Sequence, residues 1–143
     1  MARALSNCAH PLRGFLKNGA RHVSRAERLL FGLAGVMGAL GVASAAAAAH
    51  LAPGSPMTSA ALILLVHAPA LLAILAALQV YALPRFTTRA SAIALALGAL
   101  LFASDMACRS FLAGALFPYA APLGGFLLMG GWLLFAISGI FGR

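Results

Sequence analysis

Acidic side chains are nearly absent from this sequence. Among its 143 residues only Glu27 and Asp105 carry a carboxylate, against ten lysines and arginines. Charged residues of both signs make up 8% of the chain, whereas a soluble globular domain carries about 25%. A chain with so few charges cannot cover its surface with groups that water solvates well. The composition therefore excludes an ordinary water-soluble domain.

Cysteine is also scarce, and the two present, Cys8 and Cys108, form neither a CxxC pair nor a metal-ligand spacing. The topology derived below puts them on opposite sides of a membrane, so we expect no disulfide between them. Common catalytic motifs are missing as well, including Gly-x-Ser-x-Gly, a phosphate-binding loop and HExxH. His50 and His67 differ in predicted depth by about 10 Å, which is unsuitable for axial ligands of one haem. The sequence therefore predicts no metal, no cofactor and no enzymatic activity.

Long apolar stretches dominate the chain instead, and 63% of its residues are hydrophobic. Four of these stretches each exceed the roughly 20 residues that a helix needs to cross a bilayer core. The connections between them are short, so neighbouring helices must run antiparallel. The sequence therefore predicts an all-α polytopic membrane protein, an antiparallel four-helix transmembrane bundle within residues 29–143. The predicted spans are 29–51, 58–83, 89–113 and 119–141.

Residues 1–28 form a polar, basic segment ahead of the first span. Arg13, Lys17, Arg21 and Arg25 recur every four residues, which is typical of a helix lying on a membrane surface, although a frayed basic tail fits equally well. The position of these charges beside apolar runs indicates binding to anionic lipid headgroups. Basic and aromatic residues do not alternate here, so nucleic acid is not a predicted partner. The segment Ser24-Arg25-Ala26-Glu27 predicts a capping box at the start of the first helix.

The distribution of lysine and arginine predicts the orientation. Nine of them flank the spans on the side of the two termini, and the two connections on the other side have none. Under the positive-inside rule both termini are cytoplasmic. One alternative stays open, because the basic segment and the small residues at 45–49 also resemble a cleaved signal peptide. Cleavage there would leave three spans in the same orientation.

Ionisable residues within the spans are expensive in hydrocarbon and mark candidate sites. His50, His67, Asp105 and Arg109 are all predicted in the half of the bundle away from the termini, as a candidate polar cluster in the membrane. Asp105 and Arg109 have the spacing of an ion pair on one helix face. Three readings follow: mutual neutralisation with Arg109 reaching the headgroups, a proton or ligand site of Asp105 with His67, or a contact with a partner subunit.

His67 itself has two readings. Pro69 follows it and cannot donate a hydrogen bond within the helix, so a kink beside the imidazole could form a polar cavity. Alternatively, the imidazole hydrogen-bonds to a neighbouring helix. Small residues are abundant in the spans and favour close helix packing, so we assign Gly124, Gly125, Gly131 and Trp132 to helix packing, with lipid contact as the alternative for Trp132.

Several short segments share a pattern of small residues, single histidines and one tryptophan. They are residues 45–50, ending in His50; Leu65-Val66-His67; residues 100–104; Ala121-Pro122-Leu123-Gly124-Gly125; and Gly131-Trp132. The pattern, most specifically Pro-x-Gly-Gly-x5-Gly-Trp, resembles the small bacterial inner-membrane proteins of the YgdD type. These form a four-span domain of unknown function with a mitochondrial relative, and the similarity covers roughly residues 30–141. The resemblance implies a four-span fold in the bacterial inner (plasma) membrane and no established activity.

The sequence departs from that family at several points. Alanines precede His50 where the family tends to have glycines, and Ile63 and Leu64 stand near the position of its usual tyrosine-glutamine pair. The third span of the family is usually uncharged where Asp105 stands here. A role implied by the resemblance therefore transfers to His50 and His67 better than to Asp105.

Two functional hypotheses follow from the sequence. The first is a non-enzymatic accessory, assembly or stabilising component of a membrane system, with a membrane-protein partner or a second copy of this chain. The alternative is a small oligomeric transporter or channel that uses the polar cluster of His67 and Asp105.

Overall fold

The structure, a computed structural model, describes residues 23–51, 53–112 and 114–142. These residues form four α-helices and no strand: α1 (Arg25–His50), α2 (Met57–Val80), α3 (Arg85–Phe111) and α4 (Ala120–Ile140). Each helix is long and apolar enough to cross a membrane. The all-α, four-helix membrane fold predicted from the sequence is confirmed. The proposed surface helix before Ser24, Cys8 and Arg143 lie outside the described residues.

Helix α1 begins four residues before the predicted span because its capping box is formed. The Ser24 hydroxyl accepts a hydrogen bond from the Glu27 backbone nitrogen at 3.2 Å, and the Glu27 carboxylate accepts one from the Ser24 nitrogen at 2.9 Å. Two otherwise free donors at the helix terminus are satisfied in this way. The predicted capping box is confirmed.

The connection between α2 and α3 lies earlier in the chain than the sequence predicts: both the end of α2 and the start of α3 are shifted toward the N-terminus. α2 ends at Val80, before the predicted end at 83, because Leu83 precedes a proline and a residue in that position disfavours helical backbone. α3 starts directly after Pro84, whose carbonyl accepts hydrogen bonds from the hydroxyls of Thr87 and Thr88. Residues 85–88, predicted to be part of a turn, are therefore the first turn of α3.

The central helices are α2 and α3, while α1 packs mainly on α2 and α4 mainly on α3. This arrangement leaves α1 and α4 at the edges, with a smaller buried fraction than the two central helices. We call the end that holds Arg25, Arg85 and Arg89 the basic end, and the opposite end the far end. The fully buried large side chains of the core come mostly from α2: Met37, Leu71, Ile74, Leu75, Leu78 and Leu95.

Glycines let α3 and α4 approach each other closely. A Cβ atom on Gly124 would lie 2.8 Å from the backbone nitrogen of Phe102, and one on Gly98 would lie 2.9 Å from the carbonyl oxygen of Gly124. A Cβ on Gly131 would meet the Leu95 side chain at 2.8 Å. Gly124 and Gly131 thus lie in the helix contact. Gly125 does not, because a Cβ there would meet nothing within 4 Å, so the packing role expected of it stays a prediction.

Candidate functional site

Buried ionisable side chains in the described part of the bundle centre three sets of contacts, one toward each end and one in the middle. We call them the basic-end network, the imidazole contact and the far-end pair. Each is built around one of the three ionisable groups that are almost fully buried among the described residues: Glu27, His67 and Asp105. Since isolated charges and unpaired polar groups are expensive in hydrocarbon, the partners of these groups indicate what each one does.

The far-end pair consists of Asp105 and Arg109 on α3. The Arg109 Nε donates to Asp105 Oδ2 at 2.7 Å, and Asp105 itself is fully buried while the Arg109 side chain is 42% exposed. The second carboxylate oxygen, Oδ1, accepts a hydrogen bond at 2.8 Å from the backbone nitrogen of Leu116. Leu116 lies in the connection between α3 and α4, so Asp105 fixes that connection against α3.

The imidazole contact joins α2 to α4. The Nδ1 of His67 lies 2.8 Å from the carbonyl oxygen of Ile63, and the Trp132 Nε1 lies 3.3 Å from the His67 Nε2. A carbonyl can only accept and an indole N–H can only donate, so these partners require a neutral imidazole protonated on Nδ1. The two rings are tilted by 58° with centroids 6.1 Å apart, and Phe135 packs edge-on against the other side of Trp132. Both nitrogens of His67 are thus occupied.

The basic-end network centres on Glu27 and connects three helices. Its Oε1 accepts hydrogen bonds from Nε and Nη2 of Arg89 on α3, at 3.0 and 2.8 Å. Its Oε2 accepts from Nε2 of Gln79 on α2 at 2.9 Å, in addition to the Ser24 nitrogen of the capping box. Glu27 is fully buried and the Arg89 side chain is 32% exposed. One carboxylate therefore holds the ends of α1, α2 and α3 together.

The four residues predicted as one polar cluster do not form one. No hydrogen bond or ion pair in the described part of the chain joins His67 to Asp105 or Arg109, because each of these groups has other partners. His50 is exposed at the end of α1. The structure therefore separates the predicted cluster into two local contacts and one surface histidine.

The described residues contain no group of three or more histidine, cysteine or acidic side chains that could hold a metal ion. Cys108 is a half-buried free thiol near the far end of α3. Trp132 combines both roles considered for it, since 42% of its surface is exposed at the edge of the bundle while its indole nitrogen bonds His67.

The basic-end network is the site that the sequence analysis missed. Glu27 was assigned only to the capping box, and Arg89 was counted only as a charge that sets orientation. A signal was present: Glu27 is one of two acids in the chain, and both it and Arg89 lie next to the same membrane boundary. Gln79 carried no comparable signal. In comparisons with known proteins, no family model, no curated protein and no solved structure matches this chain.

Proposed function

We propose that this chain is a non-enzymatic accessory, assembly or stabilising component of a membrane system in the bacterial inner membrane. One observation carries the proposal: the buried ionisable groups of the bundle are fully used in holding helices together. Both oxygens of Glu27, both oxygens of Asp105 and both nitrogens of His67 have partners within the chain. Groups engaged in this way are poorly placed to act as acid, base or ion ligand without breaking the fold.

The same observation argues against the transporter or channel. That alternative needs His67 and Asp105 on one pathway, whereas their polar atoms face different partners on different helices. A flux measurement separates the two functions. We expect His67→Ala and Asp105→Asn in vesicles to leave the permeability to protons and monovalent cations equal to that of wild-type vesicles. Loss of a wild-type flux in both variants, with assembly intact, would favour the transporter.

Partner binding is proposed to use the outward faces of the edge helices. α1 exposes small residues such as Gly35 and Ala39, and α4 exposes bulky ones such as Phe126 and Leu133. A membrane-protein partner or a second copy of the chain would cover one of these faces, since close packing drives helix association in lipid. The mechanism is then mechanical: a rigid bundle presents a fixed apolar surface to its neighbour.

The decisive experiment is purification of the tagged full-length chain in mild detergent, followed by identification of co-purifying proteins. We expect a defined membrane protein in near-stoichiometric amount. Ala39→Phe and Leu133→Ala change the shape of the two outward faces without touching the core, and one of them should release the partner. Recovery of this chain only as a homo-oligomer would make a second copy the occupant of the outward face and contradict the role in a larger membrane system. Recovery only as a monomer would contradict both kinds of partner.

The proposed orientation places the basic end in the cytoplasm. It is supported by the exposed Arg25, Arg28 and Arg85 at that end, where they would meet anionic headgroups. In spheroplasts of a variant that lacks both natural cysteines, we expect Ser55→Cys to react with an impermeant maleimide. Phe86→Cys, at the opposite end, should react only after lysis. The reverse labelling would overturn the orientation.

A further inference from the structure

A lateral cavity of about 200 Å³ lies between α1, α2 and α3 in the far half of the bundle. Its walls are mostly apolar, and two of the residues that line it, Leu40 and Ser104, are exposed along the length of their helices. The polar side chains in its lining are two serines, Ser44 on α1 and Ser104 on α3. The cavity is smaller than the usual 300–1,000 Å³ of a small-molecule pocket, so it fits a segment of one chain rather than a whole drug-sized ligand.

The two serines differ from other serines of the bundle. Ser91, Ser110 and Ser138 each donate a hydroxyl hydrogen bond to a backbone carbonyl, at 2.7 to 2.8 Å. Ser44 and Ser104 have no hydrogen-bond partner within the described residues. Ser44 is nonetheless only 7% exposed and lines the cavity, whereas Ser104, which also lines it, is an exposed residue. An unpaired hydroxyl in hydrocarbon is unfavourable, which indicates an occupant that can accept hydrogen bonds.

The depth of the serines indicates which acceptor that is. Ser44 lies about 9 Å from the far end of α1 at 1.5 Å per residue, and Ser104 lies about 10 Å from the far end of α3. α1 is about 39 Å long by the same rise, against a hydrocarbon core of about 30 Å, so its ends extend roughly 4 to 5 Å beyond the core. The two hydroxyls thus lie about 5 Å inside the boundary, so the carbonyl of an ester group that enters the cavity from the boundary can reach them.

The remaining lining residues extend the cavity away from the level of the hydroxyls. Met57 and Ala107 lie near the boundary, whereas Leu40, Leu64 and Leu100 lie deeper in the bundle. The cavity therefore runs along the helices, with the hydroxyls in its part nearer the boundary and only apolar walls below them. An acyl chain attached through an ester has the same order of groups, a carbonyl acceptor followed by hydrocarbon.

We propose that this cavity is a binding site for one ester-linked acyl chain of a glycerophospholipid, whose carbonyl oxygen accepts hydrogen bonds from Ser44 and Ser104. The hydrocarbon below the ester packs against Leu40, Leu64 and Leu100. The bound lipid would come from whichever leaflet surrounds the far end, so the site does not depend on the proposed orientation. It is also independent of the proposed accessory function.

Photolabelling tests the site directly. The full-length protein is reconstituted in phosphatidylcholine vesicles that contain a small fraction of phosphatidylcholine with a diazirine on one acyl chain, and adducts are mapped by mass spectrometry. We expect adducts concentrated on the cavity-lining segments of α1, α2 and α3. Ala107→Leu, which narrows the cavity near the boundary, should remove most of them. Adducts spread evenly over all outward faces would overturn the proposal, because that distribution indicates surrounding lipid only.

Competition with unlabelled lipid tests the role of the carbonyl. Diacyl phosphatidylcholine should displace the label about fivefold better than the dialkyl ether analogue, which lacks the carbonyl; this factor corresponds to about 1 kcal/mol, a typical hydrogen-bond contribution. The difference should vanish in the variant that combines Ser44→Ala with Ser104→Ala. Ser110→Ala removes a serine that lies on α3, as Ser104 does, but outside the cavity. This variant should retain the preference for the diacyl lipid over the ether analogue. Equal competition by both lipids in wild type would overturn the assignment of the hydroxyls to an ester carbonyl.

Discussion

Glu27 in the first turn of α1 and Arg89 in the second turn of α3 form an ion pair of 2.8 Å, with the carboxylate fully buried. These two helices otherwise pack little against each other. The pair therefore joins elements that apolar packing alone holds weakly. Because Glu27 also completes the capping box and bonds Gln79, the removal of one carboxylate affects three helices at once.

We predict that Glu27→Gln destabilises the bundle more than any single change to the exposed arginines at the same end. The substitution removes the negative charge that pairs with Arg89 and replaces one of the two acceptor oxygens with an NH2 donor, so either Arg89 or Gln79 loses its acceptor. Removal of one partner of a buried pair costs 3–5 kcal/mol, but Arg89 is about one-third exposed, so we expect roughly 1–3 kcal/mol here. Unfolding in mixed micelles with increasing dodecyl sulfate measures the change. Arg85→Gln, which removes an exposed charge from the same end, is the control and should be near neutral.

The pairing between the two residues can be separated from their individual effects. In a double-mutant cycle, Arg89→Gln should add little to the loss caused by Glu27→Gln, since the interaction has already been removed. If the two effects simply add, Glu27 and Arg89 do not stabilise each other, and the basic-end network has a different basis.

The four helices could be predicted from sequence because burial in lipid demands long apolar segments, and those are visible residue by residue. The Ser24 capping box could be predicted because both of its partners are local. Contacts such as Glu27 with Arg89 or His67 with Trp132 could not, because they depend on which helix faces which. The sequence does not show that α2 and α3 are the central helices, because all four spans are strongly apolar.

The failure of the predicted polar cluster has the same origin. The helical rise predicts His67 and Asp105 at similar levels, but the structure places His67 near the middle of α2 and Asp105 nearer the far end of α3. The direction of each side chain around its helix was not known. Asp105 faces the connection at Leu116, while His67 faces Trp132 on α4. Residues that are predicted at similar depth on different helices therefore need not meet.

Neighbouring glycines on α4 provide a matched test of helix packing. In Gly124→Ala the new methyl group would lie 2.8 Å from the Phe102 nitrogen and 3.0 Å from the Gly98 carbonyl oxygen, and backbone atoms cannot move aside. We expect a loss of about 1–3 kcal/mol, as for overpacked sites. Gly125→Ala meets open space and gains helix propensity, so it should be neutral or slightly stabilising. The unfolding midpoints of the two variants in the same detergent give the comparison; equal midpoints would show that the close contact of α3 with α4 is wrong.

The imidazole contact predicts a small, specific effect. Trp132→Phe keeps an aromatic ring beside Phe135 but removes the donor to His67. Hydrogen bonds between membrane helices average about 0.6 kcal/mol in double-mutant cycles, and we expect a loss of that order. The same substitution in a His67→Leu background should cost less, because the acceptor is already absent. An equal loss in both backgrounds would assign the effect of Trp132 to its size alone.

Asp105 has two partners, and two substitutions distinguish them. Asp105→Asn removes the charge that pairs with Arg109 but keeps a carbonyl oxygen that can accept from the Leu116 nitrogen. Arg109 is 42% exposed and can turn toward the headgroups, so this variant should lose little stability. Asp105→Leu removes both interactions and leaves the Leu116 N–H without its acceptor, which typically costs a further 1–3 kcal/mol. Amide hydrogen exchange in the connection between α3 and α4 should therefore be near wild type in Asp105→Asn and faster in Asp105→Leu. If amide exchange in this connection is equally fast in both variants, and faster than in wild type, the ion pair with Arg109 holds the connection. The backbone hydrogen bond to Leu116 would then not be the structural role of Asp105.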